Sequence, residues 1–484
     1  MTDLRAAFAP LDWGVLGLYL AFLLAVGFWK RKDGSTDDYL IADRNLSLPV
    51  FVATLVATFY GGILGAGEFV YTSGMVAWTE NGLPYYIFAL LFAVFLARRV
   101  RGGAAHIYTI PDKLAEAYDT KTALLGAVFA FVYAAPSTYV LMAGTLLHIL
   151  FGWSLIPAML VGVVFSITYV FRGGFLADVR VNTLQFLLMF AGFGTIVALC
   201  LHRFGGLSFL TAPGHLPPSY LKPMGDYDLA AVAVWFFIAL ETLTDPGFHQ
   251  RCYAAKTPRV AAIGIGLAVL CWMTFDLLSL TTGLFSRALL PHLADPKLAF
   301  PALAERVLPP GLKGLFYVGM LAPIMASLVS YTFIAAVTVG RDFVWRLRGD
   351  KDNANVPAYT RWGLVGTSLL ALVVAVLVPS VVKQWYAFGS VLVPGVLIPL
   401  LGAYAAPRWR APATFAFFSM LLGAGLALFC LLWGWGHGGF DTPQFPGNWQ
   451  PLYPGLLVAA LVYGAGLVFG RRRGNKANSG TLTF

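Results

Sequence analysis

Charge is what this 484-residue chain has least of. Only 12% of its residues are Asp, Glu, Lys or Arg and 58% are hydrophobic, whereas soluble domains carry about 25% charged residues. That excludes a soluble globular protein and indicates a polytopic membrane protein. Cysteine is scarce as well. Cys200, Cys252, Cys271 and Cys430 are scattered through apolar segments without CxxC or Cys/His spacing, which argues against a disulfide framework and a structural zinc. No HExxH, phosphate-binding loop, GxSxG or loop cluster of His, Asp and Glu is present, so no enzyme is expected. No segment is long enough to fold as a soluble domain, no low-complexity tract divides the chain, and no cleavable signal peptide is evident. The net charge of +10 falls in short loops, where basic residues set membrane topology rather than bind nucleic acid.

What the chain has in abundance is apolar runs of about 20 residues, the length that crosses a bilayer. Thirteen are expected, at 11–30, 49–77, 83–100, 122–149, 153–171, 181–203, 228–248, 259–286, 311–340, 361–382, 386–406, 411–435 and 452–470. With the N-terminus outside, roughly 25 of the 33 Lys and Arg fall in inner loops, from Lys30–Lys32 to Arg471–Lys476, which sets the orientation by the positive-inside rule and leaves the C-terminus in the cytoplasm. The Pro-rich segments 204–227 and 288–310 then lie outside.

One run is unlike the rest. In 49–77 the apolar stretch is interrupted by Gly61, Gly62, Gly65 and Gly67, with the carboxylate Glu68 next to them. Glycine is a poor helix former and a carboxylate in the membrane is costly, so a broken helix is expected. Non-helical backbone at bilayer depth lines a cavity or an ion site. A second interruption lies in 228–248, where Glu241, Asp245, Pro246 and Gly247 are expected to stop the helix early. The second lies five helices after the first, an odd number, so the two cross in opposite directions, as in an inverted-topology repeat. Paired interrupted helices of this kind point to a transporter binding site.

Five segments then resemble the sodium/solute symporters, whose members include bacterial proline, galactose and sialic acid carriers. They are DDYLIADR (Asp37–Arg44), IPDKLAEAYD (Ile110–Asp119), YVFRGGFLADVRVNTLQ (Tyr169–Gln185), DPGFHQRCYAAKTPRVA (Asp245–Ala261) and LAPIMASLVSYTFIAAVTVGRDF (Leu321–Phe343). The resemblance implies an all-α, leucine-transporter-like fold with 5+5 inverted repeats in one transmembrane domain. Residues 49–203 would form the first repeat and 228–406 the second, with an extra helix at 11–30 and two more at 411–470.

It also implies sites. Ala57, Tyr60 and Pro323 would give carbonyls to a sodium ion, with Ala326 and Ser327 where the family has two hydroxyls; oxygen ligands suit this hard cation. Asn182 and Gln185 would line the cation path, Asn182 standing where the family commonly has Asp. The missing hydroxyl and carboxylate weaken cation binding unless Ser330 or Thr183 replaces them. The solute would bind beside the break, near Phe59, Gly61, Leu64, Glu68, Tyr86, Tyr133, Trp235, Ile238 and Glu241. A carboxylate among aromatic rings favours a cationic or multiply hydroxylated solute. His249 and Arg251 are expected at the inner gate.

The expected function is cation-coupled symport, with sodium as the coupling ion, of a small polar organic solute across the cytoplasmic membrane by alternating access. No cofactor is expected, and the partners are solute, sodium and lipid, with no nucleic acid. The alternatives are a proton-coupled or uncoupled carrier of the same fold, or a transporter-like sensor. Oligomeric state is not indicated.

Overall fold

The computed structural model describes residues 4–28, 35–103, 106–439 and 442–479, and among these no named β-strand occurs. The principal helices are α1 (Pro10–Val26), α2 (Leu48–Phe59), α3 (Ile63–Ser73), α4 (Val76–Arg101), α5 (Thr120–Phe151), α6 (Leu155–Thr168), α7 (Val170–Phe204), α8 (Leu229–Ile238) and α9 (Pro246–Ala254). They continue with α10 (Pro258–Leu289), α11 (Leu312–Arg348), α12 (Val356–Leu377), α13 (Val381–Tyr404), α14 (Ala413–Gly438) and α15 (Leu452–Gly470). Among the described residues nine helices are long and apolar enough to cross a membrane, and α2 with α3 makes a further, bent pair. The chain is a multi-pass membrane protein. The Lys30–Lys32 segment that counted toward the orientation lies outside the described residues, as do the side chains of Arg471–Lys476.

Helix α11 is the axis of the bundle. Its apolar length is buried throughout, and it crosses α7 at Gly192 and Gly319, whose backbones lie so close that a Cβ on either would meet the other's Cα at 3.1 Å. Small residues at such crossings let helices approach where lipid gives no hydrophobic drive to associate. The periphery is the reverse: Leu18, Val94, Leu277, Leu377, Phe429 and Leu461 face outward, as lipid-contacting side chains do.

The 49–77 run is broken as expected. α2 ends at Phe59, α3 begins at Ile63, and their axes differ by 58°. The second interruption differs from expectation. The α-helix gives way to a 3-10 turn at Ala239–Leu243, before the proline, and Pro246 opens α9 instead of ending α8. The reason is position: proline has no N–H to lose in the first turn of a helix. Asp245 caps that turn, accepting from the amides of Gly247 (2.5 Å) and Phe248 (3.1 Å).

The five sequence segments meet at one end of the bundle. A short helix, Thr36–Ile41, is capped by Ser35 and followed by Ala42, Asp43 and Arg44, all at positive φ. Arg44 donates to the carbonyl of Ile107 (2.9 Å), and Leu46 bridges to Ala255. Asp112 accepts from Arg341 (2.7 Å) and Arg346 (2.8 Å), and Tyr108 donates to Asp37 (2.5 Å). At the α7 kink Gly174 has φ 57° and ψ −151°, and a Cβ there would strike the carbonyl and ring of Tyr39. Only glycine holds that backbone without strain of about 1–3 kcal/mol. Gly174→Ala is therefore expected to lower the thermal midpoint of the purified protein by several degrees. An unchanged midpoint would show that the kink does not hold the Tyr39 segment.

Candidate functional site

The break between α2 and α3 is held from α11. The Ser327 hydroxyl reaches the carbonyls of Thr58, at the end of α2, and of Pro323 (3.0 Å). Gly61 lies against Ser327 and the ring of Tyr139 with no room for a side chain, so the glycine supplies close approach. Gly62 and Gly65 do the same for the Trp385 ring. The Trp385 ring lies over the break. The structure thus brings Ser327 and the Pro323 carbonyl of α11 to the end of α2, at Thr58 and Gly61. Asp276 on α10 accepts from the phenols of Tyr60 and Tyr86.

Next to this lies a polar cluster that the sequence only partly foretold. Arg251 is fully buried within the bundle. Its guanidinium donates to Thr58 Oγ1 (2.7 Å) and Ser330 Oγ (2.9 Å) and lies 3.5 Å from Asp178. Ser330 donates to Asp178 (2.7 Å). Asn182 Nδ2 is within reach of Thr54 (3.0 Å) and Thr58 (3.2 Å), and Gln185 donates to Tyr19 (2.8 Å). The Asn182 and Gln185 carbonyl oxygens are buried without a partner. A carboxylate, Asp178, does lie one helical turn before Asn182 on the same face of α7, engaged by Arg251 and Ser330. That i, i+4 spacing was the available signal. Thr183 takes no part, because its hydroxyl donates to Val179 of its own helix (3.0 Å).

A cavity of about 220 Å³ opens beside the break. Phe59, Tyr86, Tyr133 and Glu241 line it, as do Tyr85, Thr138, Tyr139, Asp245, Asp276 and Tyr331. Glu241 accepts from Tyr85 (2.8 Å) and Asp245 from Tyr331 (2.7 Å). Five expected solute residues lie outside it. Gly61 is packed on Ser327, Leu64 faces a second cavity with Asp295 and Lys297, and Ile238 is buried against Gly389. Trp235 stands behind the cavity wall, edge-on to Phe69 at 5.4 Å, and Glu68 does not line the cavity.

The Asp178–Arg251 pair fixes a prediction. Removing one partner of a buried ion pair costs about 3–5 kcal/mol, because the other charge is left uncompensated. Asp178→Asn should destabilise the protein by that order in denaturant or thermal unfolding, and Asp178→Asn with Arg251→Gln should recover most of the loss. Equal stability of wild type and Asp178→Asn would mean that the guanidinium is balanced elsewhere.

Comparison with known proteins gives one consistent result. A family model described as Sodium:solute symporter family matches residues 39–423. The chain is 26% identical over 483 residues to the sodium/pantothenate symporter of Escherichia coli, covering 93% of this chain and 95% of that protein. It is 24% identical to the sodium/glucose cotransporter of Vibrio parahaemolyticus, covering 84% and 82%, and 27% identical to the sodium/myo-inositol cotransporter 2 of Oryctolagus cuniculus, covering 87% and 70%. The solved structure of a Na+-coupled sialic acid symporter superimposes with a TM-score of 0.74 at 17% identity, over 95% of this chain and 97% of that one. The nucleobase-cation symporter Mhp1 gives 0.54 at 11% identity, over 89% and 94%. The fold is leucine-transporter-like.

Proposed function

The chain belongs to the sodium:solute symporter family, and from that membership we propose that it couples sodium entry to uptake of a small polar organic solute by alternating access. Sodium is held by the carbonyls of Ala57, Tyr60 and Pro323 and by the Ser327 hydroxyl, with Ala326 standing where the family has a second hydroxyl. Asn182 and Gln185, whose carbonyl oxygens lack partners, line the path together with Asp178. Solute occupies the cavity beside the break. Residues 49–203 and 228–406 act as the two inverted repeats, with 11–30 and 411–470 as added helices. The protein resides in the cytoplasmic membrane with its N-terminus outside.

One observation carries this reading: Tyr60 belongs to both places. Its backbone ends α2 where Ser327 closes on the break, while its side chain lines the cavity and donates to Asp276. On α11, Tyr331 lines the cavity one turn beyond Ser327. A cation that orders the Ala57–Tyr60 turn therefore also sets the cavity wall, and by linkage the solute tightens the cation by the same factor.

Solute uptake into proteoliposomes, with an imposed sodium gradient against an equal potassium gradient, tests this. Ser327→Ala should abolish the sodium dependence. Ala326→Ser, which adds a hydroxyl ligand, should lower the sodium concentration needed for half-maximal uptake. Unchanged sodium dependence in both variants would remove the cation site from this place. Glu241→Gln should reduce uptake more than Glu68→Gln, and the reverse order would move the solute outward along α3.

A further inference from the structure

Among the described residues the cavity beside the break is lined by three carboxylates, Glu241, Asp245 and Asp276, and by no Lys, Arg or His. Among the described residues none of the three is paired with a basic side chain within 4.0 Å. Asp245 is fully buried and engaged by the Tyr331 phenol and two backbone amides, and Asp276 takes the Tyr60 and Tyr86 phenols on its two oxygens. Glu241 is different. Tyr85 engages Oε1, and Oε2 lies toward Gly389.

Three further side chains of the cavity wall carry an unpartnered polar atom. They are Asn81 Nδ2, Thr242 Oγ1 and Trp272 Nε1, and Thr242 and Trp272 are only 1% and 6% exposed. Indole N–H can only donate, so it calls for an oxygen acceptor on whatever fills the space. An unmet buried donor costs about 1–3 kcal/mol, which a ligand oxygen would relieve. The remaining wall is largely aromatic, including Phe59, Trp78, Tyr139 and Trp385, and ring faces attract cations.

We propose that the solute is a compact organic cation, an ammonium or guanidinium compound that also carries a hydroxyl or carbonyl oxygen. Glu241 is its direct ionic partner, and Trp272 and Thr242 hydrogen-bond its oxygen. Asp245 and Asp276, already committed to phenols and amides, hold a negative field around it. A carboxylate solute would meet three carboxyl groups and no basic partner in a small space, and a neutral polyol would leave Glu241 without a counter-charge. This rests on reading the cavity as the solute site of a sodium symporter.

The test is the thermal midpoint of the purified protein at constant ionic strength, in sodium and in potassium, because a ligand of the folded state raises it. The probes are ethanolamine, choline, putrescine and agmatine, set against 3,3-dimethylbutan-1-ol (the uncharged isostere of choline), myo-inositol and pantothenate. At least one cation should raise the midpoint in sodium while the uncharged isostere and the anion do not. Glu241→Gln should weaken that cation about tenfold or more, the scale of a lost charge-assisted hydrogen bond. A sodium-induced shift retained in that variant shows that it is folded. A shift from pantothenate or myo-inositol with none from any cation overturns the proposal, as does silence across the cation set or an unchanged affinity in Glu241→Gln. A cation shift equal in sodium and potassium would keep the solute class and contradict the symport reading instead.

Discussion

A backbone that leaves the helical path inside a bilayer must have its polar groups met by protein, because lipid offers no hydrogen bonds. The turn at Tyr60–Gly62 places that condition on the rest of the molecule. Ser327 meets it from α11, and it can do so because Gly61 has no side chain to hold the two helices apart. α11 must then lie at the centre, which the glycine-to-glycine crossing with α7 allows. The same turn carries the Tyr60 side chain into the cavity, so the oxygen-lined break and the solute space are set by one local geometry.

Charge at the centre is handled by pairing. Arg251 has no route to water, and its guanidinium is met by Thr58, Ser330, Gly247 and Asp178, drawn from α2, α11, α9 and α7. Four elements are thereby tied through one side chain, next to the place where α2 ends. The three carboxylates of the cavity are held differently, by phenols and amides rather than by basic groups. The two regions therefore differ in sign although they are adjacent: one has its own cation built in, and the other has none.

Much of this was legible in the chain and some of it was not. Four glycines with an acid beside them announced the break, because no other residue tolerates such close approach by Ser327, Trp385 and Phe300. Which face each side chain takes was harder to read. Leu64, Glu68, Trp235 and Ile238 sit on interrupted helices, where a 58° bend or a 3-10 turn resets the helical phase that face assignments depend on. Pro246 was misread because proline ends a helix from within but begins one from its first turn. Asp178 was not legible because its partners, Arg251 and Ser330, come from other helices and meet it only in the packed bundle. The partners of Arg251 were not legible because they lie far away in sequence.

Saturable binding of radioactive sodium to the purified protein, without solute and with potassium balancing the ionic strength, tests the central claim most directly. The account predicts binding that excess sodium displaces and potassium does not, and that is lost in Ser327→Ala. Absence of saturable sodium binding in the wild type, or binding unaffected by Ser327→Ala, would contradict the assignment of the cation to the turn between α2 and α3.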